Sequence, residues 1–393
     1  MSVFRLCKNL YAGSYIRMAI LFLMMTVSMQ SLTLAIGLFR YHRAVSEQMT
    51  SIQSVHGVYL MQFEWGGEAF DQETLQKLKE QISHLPGVRD VIQTYELHVE
   101  CNNENYTLLV YHEWMAKYFQ PHSIRGEWID SSDSVVISSY GIPHNMIGQK
   151  ITMEFRHGAD IVTYPITVKG CMGKTSHVLR LSRSATELSL QDLQYPAYGH
   201  MQKYMIVSEN SELCRTYQDA FHEYRNFFVL FDHEMPPQTE QALRAMGLVM
   251  DFGELRENTE NEYERGLFYV RYLLLFSGMS LILVFGMSLV FVREKHRELA
   301  VYSICGCRRW QKKVLSSLGV MLITVFSFIL QSVVICCFYQ WQLYQILENV
   351  LIEPLLIGVI AGYTLLICVV SWIFSDVIYG KKQLVDIIQE NRK

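Results

Sequence analysis

The chain has 393 residues, of which 50% are hydrophobic and 18% are charged. Soluble domains carry roughly 25% charged residues, so these proportions indicate that part of the chain lies in a membrane. The formal net charge is -4, which excludes the strongly basic signature of a nucleic-acid-binding protein. The 9 cysteines show no CxxC spacing and favour neither a disulfide framework nor a zinc site, and pairing among Cys101, Cys171 and Cys214 stays open.

The first two segments are predicted to be helices on and in the membrane. Residues 1–17 alternate basic and apolar residues, which is typical of a short amphipathic helix on the cytosolic membrane surface. Residues 18–39 carry no charge and are long enough to cross a bilayer, which needs ~20 apolar residues. A cleavable signal peptide is the alternative, but its apolar core is roughly 7–15 residues long and a small-residue cleavage site follows it. We therefore expect a retained transmembrane helix 1.

Residues 40–252 are predicted to form one large extracytoplasmic domain of mixed α+β structure. Runs of alternating or β-branched residues between turn residues predict its strands. Apolar residues that recur every three to four positions between capping residues predict its helices. The predicted strands are 58–63, 91–99, 106–111, 135–138, 150–155, 161–170, 204–207 and 227–231, and the predicted helices are 71–85, 209–223 and 237–246, with a turn at 102–105.

Three further transmembrane helices are predicted in the C-terminal third, at 267–292, 314–339 and 351–378. The polar segment 253–266 is predicted to extend the first of these as a stalk helix, with Glu254, Leu255, Glu262 and Arg271 as its candidate functional residues. The loop 293–313 has seven Lys or Arg residues, whereas the short outer loop 340–350 has none. This asymmetry places the loop 293–313, the tail 379–393 and both termini in the cytosol, and the domain 40–266 outside.

The loop 293–313 carries the most specific pattern in the chain. Residues 293–311 read R-E-K-H-R-E-L-A-V-Y-S-I-C-G-C-R-R-W-Q, with charged ends around a middle too short to span a bilayer. By charge alone it is an ordinary basic cytosolic loop. Its order, however, resembles the signature of the FtsX-like permease family, the membrane subunits of MacB-type ABC transporters. The matching residues are Arg293, Arg297, Glu298, Leu299, Val301, Gly306, Arg309 and Gln311, whereas Ala300 and Ser303 depart from the usual Gly and Arg.

In that family the segment is the coupling helix that docks on the ATPase. The resemblance therefore implies that Arg297, Glu298, Leu299, Val301, Gly306 and Arg309 couple this chain to an ATPase. Glycine is useful at the end of a helix because it is free to take a positive φ, and Gly306 is expected to end the coupling helix.

The middle of the predicted exported domain resembles the same family. Tyr118-Phe119, Gly126, the strand 133–138, the turn 147–151 and the strand 166–170 follow the order of the extracytoplasmic core of MacB-type permeases. The resemblance implies four transmembrane α-helices with a large MacB-core-like α+β domain between spans 1 and 2.

Three sequence patterns typical of catalytic sites were searched for, and each lacks a residue that the chemistry requires. Residues 170–175 resemble a phosphate loop, but Val168 stands where the P-loop needs Gly. The three His-Glu pairs lack the second His of a zincin, and no G-x-S-x-G elbow occurs. We therefore expect no catalytic residue, metal site or cofactor in this chain, and expect ATP and Mg²⁺ to be bound by a partner ATPase. Substrate-binding residues are not assigned.

These interpretations predict a non-catalytic permease subunit of an ABC transporter, a multi-pass protein of a bacterial cell (cytoplasmic) membrane. The resemblance implies a homo- or heterodimer of permeases with separate cytosolic ATPase subunits, and mechanotransmission of ATP-driven motion to the exported domain. The expected cargo is a peptide, an antibiotic or a lipid-linked molecule that is exported or extracted. An exported partner protein and membrane lipids are further expected contacts, and nucleic acid is not. Two alternatives stay open: an FtsX-type regulator of extracytoplasmic cell-wall hydrolases, and a membrane sensor.

Overall fold

The computed structural model describes residues 15–62, 72–121, 124–130, 132–138, 146–173, 176–183, 185, 187–197, 203–294, 301, 308–341, 350–351 and 353–380. The chain forms two compact units. One contains Arg40–Gly266, and the other combines the segments that precede and follow it.

The described helices and strands are, in chain order, α1 (Tyr15–Ser51), β1 (His56–Met61), α2 (Gln72–Ser83), β2 (Val88–Cys101), β3 (Glu104–Tyr111), α3 (Glu113–Tyr118), β4 (Ile124–Gly126), β5 (Ser134–Ser138), β6 (Lys150–His157), β7 (Asp160–Met172), β8 (His177–Leu179), β9 (Gln194–Pro196), β10 (Tyr204–Ser208), α4 (Glu212–Thr216), β11 (His222–Phe231), α5 (Pro237–Met246), β12 (Leu248–Asp251), α6 (Phe252–Glu294), α7 (Arg309–Trp341) and α8 (Leu355–Gly380). Short 3₁₀ turns occupy Leu190–Leu193 and Gln218–Ala220.

Four helices, α1, α6, α7 and α8, are each long and apolar enough to cross a membrane. Many of their apolar side chains are exposed within the chain, as Ile282 (71%) and Leu365 (67%) illustrate. Such exposure is expected where lipid surrounds a helix, because hydrocarbon tails are as apolar as leucine. The structure thus confirms four span-capable helices, while their crossing of a membrane stays a prediction.

Polar side chains join these helices in the interior of their unit. The hydroxyl of Ser28 on α1 lies 2.5 Å from the hydroxyl of Tyr363 on α8 and 3.4 Å from that of Ser277 on α6. The amide of Gln331 on α7 donates to Oε1 of Gln30 on α1 at 2.6 Å. Hydrogen bonds of this kind hold membrane helices together, since an unpaired polar group in hydrocarbon is costly.

The β-rich unit contains a closed ring of six strands. The order β2-β3-β10-β5-β7-β6 returns to β2 through the pairing of Glu100 with Glu154. Inward residues alternate with outward ones, as the burial pattern of β6 shows, and the inward set forms one apolar core that includes Leu108, Met153 and Val207. Closing the ring leaves fewer unpaired strand edges, which protects the strands from pairing with other chains.

The same unit continues into an open antiparallel sheet of order β12-β1-β11-β2. β2 belongs to both parts, because its first half pairs with β11 and its second half lies in the ring. A second apolar core forms beside this sheet and includes Leu75 and Ile82 of α2, Leu243 of α5, and Phe227 of β11. The apolar spacing in α2 and α5 thus serves to cover one sheet face.

Most predicted strands are present, with ends that differ by a few residues. The turn between β2 and β3 consists of only Asn102 and Asn103, both with positive φ (52° and 60°), which is the geometry of a tight two-residue hairpin. The predicted helix 237–246 matches α5, where Pro237 occupies the first turn and Gly247 follows the end.

The predicted helix 209–223 is wrong. Only Glu212–Thr216 is α-helical, with the hydroxyl of Ser211 capping its start, and His222 already begins β11. His222 and Glu223, the last two residues of the predicted helix, instead pair with Glu96 and Tyr95 of β2, and this cross-strand pairing outweighs the local helical pattern there. The predicted amphipathic helix 1–17 lies outside the described residues up to position 14, and residues 15–17 form the start of α1.

Candidate functional site: the stalk helix and the clasp segment

The predicted stalk residues lie on one helix, α6, which continues from Phe252 to Glu294. Its start is fixed by reciprocal caps. The carboxylate of Asp251 accepts from the backbone N–H of Gly253 at 2.5 Å, and the carboxylate of Glu254 accepts from the N–H of Asp251 at 3.3 Å. Asp251 and Glu254 therefore each satisfy one backbone N–H at the start of the helix.

Leu255, the second predicted stalk residue, is fully buried. One turn later, Thr259 donates its hydroxyl to the Leu255 carbonyl and accepts from the backbone N–H of Leu190 at 2.9 Å. The side-chain amide of Asn258 donates to the carbonyl of Leu188 at 3.0 Å. The first turns of α6 are thus bound to residues 176–197, which we name the clasp segment.

The clasp segment also binds the end of α1 that belongs to the β-rich unit. The side-chain amide of Gln191 donates to Nδ1 of His42 at 3.1 Å. The side-chain amide of Gln194 donates to Oε1 of Gln48. The ring of His177 lies 5.3 Å from the ring of Tyr41. One segment therefore contacts both helices, α1 and α6.

On its other side the clasp segment is hydrogen-bonded to the sheet. The hydroxyl of Tyr111 on β3 accepts from the backbone N–H of Leu179 at 2.7 Å and donates to the Leu179 carbonyl at 3.2 Å. The N–H of Leu181 donates to Oγ1 of Thr94 on β2 at 3.1 Å. Tyr111 and Leu181 are fully buried, so these bonds are shielded from water.

A nearly buried ion pair reinforces this attachment. Nη2 of Arg180 in the clasp segment lies 2.8 Å from Oε2 of Glu96 on β2, with side-chain exposures of 15% and 8%. The hydroxyl of Tyr224 bridges the two, and the guanidinium lies 4.8 Å from its ring centroid. Removing one partner of such a pair leaves a buried charge without a counterion, so the pair fixes the position of the clasp segment.

α1 and α6 approach each other closely in this unit at His42 and Gly266. His42 is only 4% exposed. Its ring centroid lies 6.4 Å from that of Tyr263 in a T-shaped arrangement. Burial lowers the pKa of His42, while the carboxylate of Glu262 opposes this shift. Glu262, a predicted stalk residue, also pairs with Arg265 at 2.7 Å.

Arg271, the last predicted stalk residue, lies on an exposed turn of α6 in the apolar helical unit. Phe268, Tyr269 and Tyr272 surround it in sequence and are 53%, 62% and 57% exposed. Aromatic residues concentrate where a span meets the membrane surface, and the charged end of an arginine can reach the headgroups from there. This arrangement fits one end of a span.

The predicted coupling residues fall largely outside the described residues. Arg297, Glu298, Leu299 and Gly306 are among the residues whose placement is not described. Val301 is helical and 57% exposed, and Arg309 is the first residue of α7. The role of this segment thus rests on the sequence motif.

Within the described part of the chain, no group of three or more His, Cys, Asp or Glu side chains could hold a metal ion. The described cysteines, which include Cys101, Cys171 and Cys214, are all free. Burial raises the pKa of the Cys214 thiol to about 12.

The sequence patterns did not predict the clasp segment. Its strands have three residues each, and its hydrogen-bond partners are far away in the sequence. One local signal was present: Asp192 follows Ser189 by three positions, and its carboxylate accepts from both the N–H and the hydroxyl of Ser189 at 2.8 Å. This spacing indicates a short helical turn.

Neither a protein-family model nor a curated protein matches the sequence. Among solved structures, the chain is similar to the crystal structure of the extracellular domain of the noncanonic ABC-type transporter YknZ from Gram-positive bacteria. The TM-score is 0.26 and the identity 12%, over 49% of this chain and 92% of that chain. A similarity at this level does not assign the chain to a family.

Proposed function

We propose that the chain is the permease subunit of an FtsX-like, MacB-type ABC transporter, which couples ATP hydrolysis by a separate ATPase to motion of an extracytoplasmic domain. The continuity of α6 carries the proposal. This helix begins directly after β12 and is described over 43 residues as far as Glu294, inside the motif that resembles the family's coupling segment. At ~1.5 Å per residue it is about 65 Å long, roughly twice the thickness of a bilayer core.

The clasp segment links the sheet of the β-rich unit to this helix through hydrogen bonds and an ion pair. Thr259 and Asn258 bind the clasp segment to α6, and Arg180 binds it to β2. A displacement of α6 would therefore pull on the clasp segment, and the clasp segment is bonded to the sheet. In the proposed mechanism, closure of the ATPases moves the segment that contains Glu298, α6 moves with it, and the clasp segment carries that motion into the exported domain.

The first test is capture of the partner. The tagged full-length chain is purified in detergent, and proteins that co-purify are identified. We expect an ATPase with Walker motifs, which is lost from the variant Glu298→Arg/Arg309→Glu. The control Lys295→Glu changes the charge at a position that does not match the motif, and it should retain the ATPase. A chain that captures no ATPase would favour the sensor, and a co-purifying cell-wall hydrolase would favour the regulator.

The second test separates ATPase binding from mechanical coupling. Proline in the interior of a helix removes a hydrogen bond and costs ~3 kcal/mol or more. Leu274→Pro should keep the ATPase but abolish any ATP-dependent change in hydrogen exchange at residues 188–193, whereas Leu274→Ala should keep both. An unchanged ATP response in the proline variant would contradict transmission through α6.

A further inference from the structure

The clasp segment is attached to α1 by contacts that differ chemically from its other attachments. Toward α6 it is held by the side chains of Thr259 and Asn258, and toward the sheet by those of Tyr111, Thr94 and Glu96. None of these five side chains is a histidine. At the contact with α1, by contrast, each side contributes a histidine, the one side chain whose ordinary pKa of about 6.5 lies in the physiological range.

The two histidines pack on one tyrosine ring. The ring centroid of Tyr41 lies 5.5 Å from that of His42 on α1 and 5.3 Å from that of His177 in the clasp segment. His42 is only 4% exposed, and His177 is half-buried. A charge gained by either histidine therefore appears inside the contact between α1 and the clasp segment.

The hydrogen bond from Gln191 fits only the neutral form of His42. Its amide donates to Nδ1 of the imidazole at 3.1 Å, so the proton of the ring is on Nε2, the atom that lies against Gly266. A second proton, taken up at Nδ1, would place two donors opposite each other. If the Gln191 amide turned over to accept that proton, the added charge would still be almost fully buried, which is costly.

Charged and titratable groups from three elements lie around His42. They are Glu262, Tyr263 and Arg265 of α6, His177 and Asp192 of the clasp segment, and Tyr41, Arg43 and Glu47 of α1. Glu262 favours a charged His42, but its side chain is 40% exposed and already bound to Arg265 at 2.7 Å. Arg43 is bound to Glu47 at 2.8 Å, and Asp192 accepts from Ser189. Burial outweighs the effect of Glu262, so the pKa of His42 lies below its ordinary value.

We propose that this contact is a proton-sensitive release: uptake of a proton by His42 at mildly acidic pH detaches α1 from the clasp segment, which stays bound to α6 and to the sheet. A charge on His177 adds to the effect, because two cations beside one ring repel each other. The attachment is complete where His42 is neutral and weakens as the pH falls, as linkage requires for a group that folding keeps neutral. Only the use of this release to regulate coupling rests on the proposed function.

Hydrogen exchange of the purified full-length chain in detergent tests the release, since exchange reports how often a contact opens. The native chain is compared with His42→Asn, whose side-chain oxygen replaces Nδ1 as the acceptor and which gains no proton. Because both proteins are measured at the same pH, the pH dependence of the exchange chemistry cancels. The regions of interest are 43–51 of α1 and 191–197 of the clasp segment, and residues 108–111 of β3 are the internal reference.

We expect exchange at 43–51 and 191–197 to become faster in the native chain than in His42→Asn as the pH falls below ~6.5. The ratio of the two rates should rise by up to about tenfold per pH unit, because one proton is taken up on release. Exchange at 108–111 should show no such rise. His177→Gln should reduce the response, and His84→Gln, which removes an exposed histidine directly after α2, should leave it unchanged.

The same pH response in the native chain and in His42→Asn would overturn the proposal. An equal acceleration at 108–111 would also overturn it, because acid would then unfold the whole unit rather than release one contact. The measurement needs neither ATPase nor nucleotide. A chain that captures no ATPase would therefore leave this result standing, and a failed release would leave ATPase capture by the 293–311 segment unaffected.

Discussion

His42 and Gly266 lie so close together that a Cβ built on Gly266 would be 2.1 Å from Nε2 of His42. The imidazole is held from the other side by the amide of Gln191 at 3.1 Å. A side chain at position 266 would force the His42 ring to shift, and this ring is almost fully buried among its neighbours. This contact fixes the distance between α1 and α6 in the β-rich unit.

Gly266→Ala is therefore expected to destabilise the protein. Alanine normally stabilises a helix by ~1 kcal/mol relative to glycine, but overpacking costs about 1–3 kcal/mol, so the net change should be unfavourable. Thermal unfolding of the purified chain measures it. Gly278→Ala is the control, because, apart from the adjoining backbone of α6, no atom of the described residues lies within 4 Å of its Cβ position. His42→Ala should restore stability to the Gly266→Ala variant, and equal effects at positions 266 and 278 would contradict the contact.

The stability of the chain should fall at acid pH through His42. Burial lowers the pKa of His42 below its ordinary value of 6.5. A group whose pKa is lower in the folded state contributes stability above its unfolded pKa and loses it as the pH falls. The unfolding temperature should thus drop from about pH 7 to about pH 5, and less steeply in His42→Gln. If the unfolding temperature falls equally with pH in the native chain and in His42→Gln, His42 does not contribute to the loss of stability at acid pH.

Glu96→Gln should be strongly destabilising, because it leaves the guanidinium of Arg180 nearly buried without a counterion. The expected loss is about 3 kcal/mol in urea unfolding. The matched control is Glu240→Gln, which breaks the exposed pair with Arg244 at 2.9 Å and should cost less than ~1 kcal/mol. Replacing both partners, as Glu96→Leu/Arg180→Met, should recover much of the loss. A similar cost at Glu96 and Glu240 would contradict the burial argument.

Thr259→Val should loosen the clasp segment without unfolding the chain. Valine has the shape of threonine but cannot accept the hydrogen bond from the backbone N–H of Leu190. An unsatisfied buried N–H costs about 1–3 kcal/mol, so hydrogen exchange at residues 188–193 should become about tenfold faster. Thr50→Val is the control, since the Thr50 hydroxyl bonds only to the Ser46 carbonyl of its own helix. If hydrogen exchange at residues 188–193 is unchanged in Thr259→Val, the hydrogen bond from Leu190 to Thr259 does not hold the clasp segment on α6.

Cys214 should resist thiol reagents in the native chain. Burial raises the pKa of its thiol from 9.0 to about 12, so almost no reactive thiolate exists at neutral pH. Maleimide labelling followed by mass spectrometry should modify Cys214 only after denaturation. Thr50→Cys places a thiol at an exposed helix position and should label within the native protein. Comparable labelling rates at the two positions would contradict the burial of Cys214.

Local patterns predicted α5 well because all its determinants lie within ten residues: Pro237 at the start, Gly247 after the end, and an apolar face between them. They failed at the end of 209–223, where the helical spacing competes with the pairing of His222 and Glu223 on β2. The pairing wins because it joins residues more than a hundred positions apart, such as His222 and Glu96, and no local window contains that information.

The sequence by itself determined which segments are apolar enough to cross a membrane, which segments alternate as strands, and where the basic motif lies. These features depend on side-chain chemistry read over a few neighbouring residues. Only the tertiary structure decided that β6 closes the ring onto β2, that residues 176–197 bind α1, α6 and the sheet together, and that His42 leaves room at position 266 for glycine alone. These are contacts between distant residues, and their energies exist only once the chain has folded.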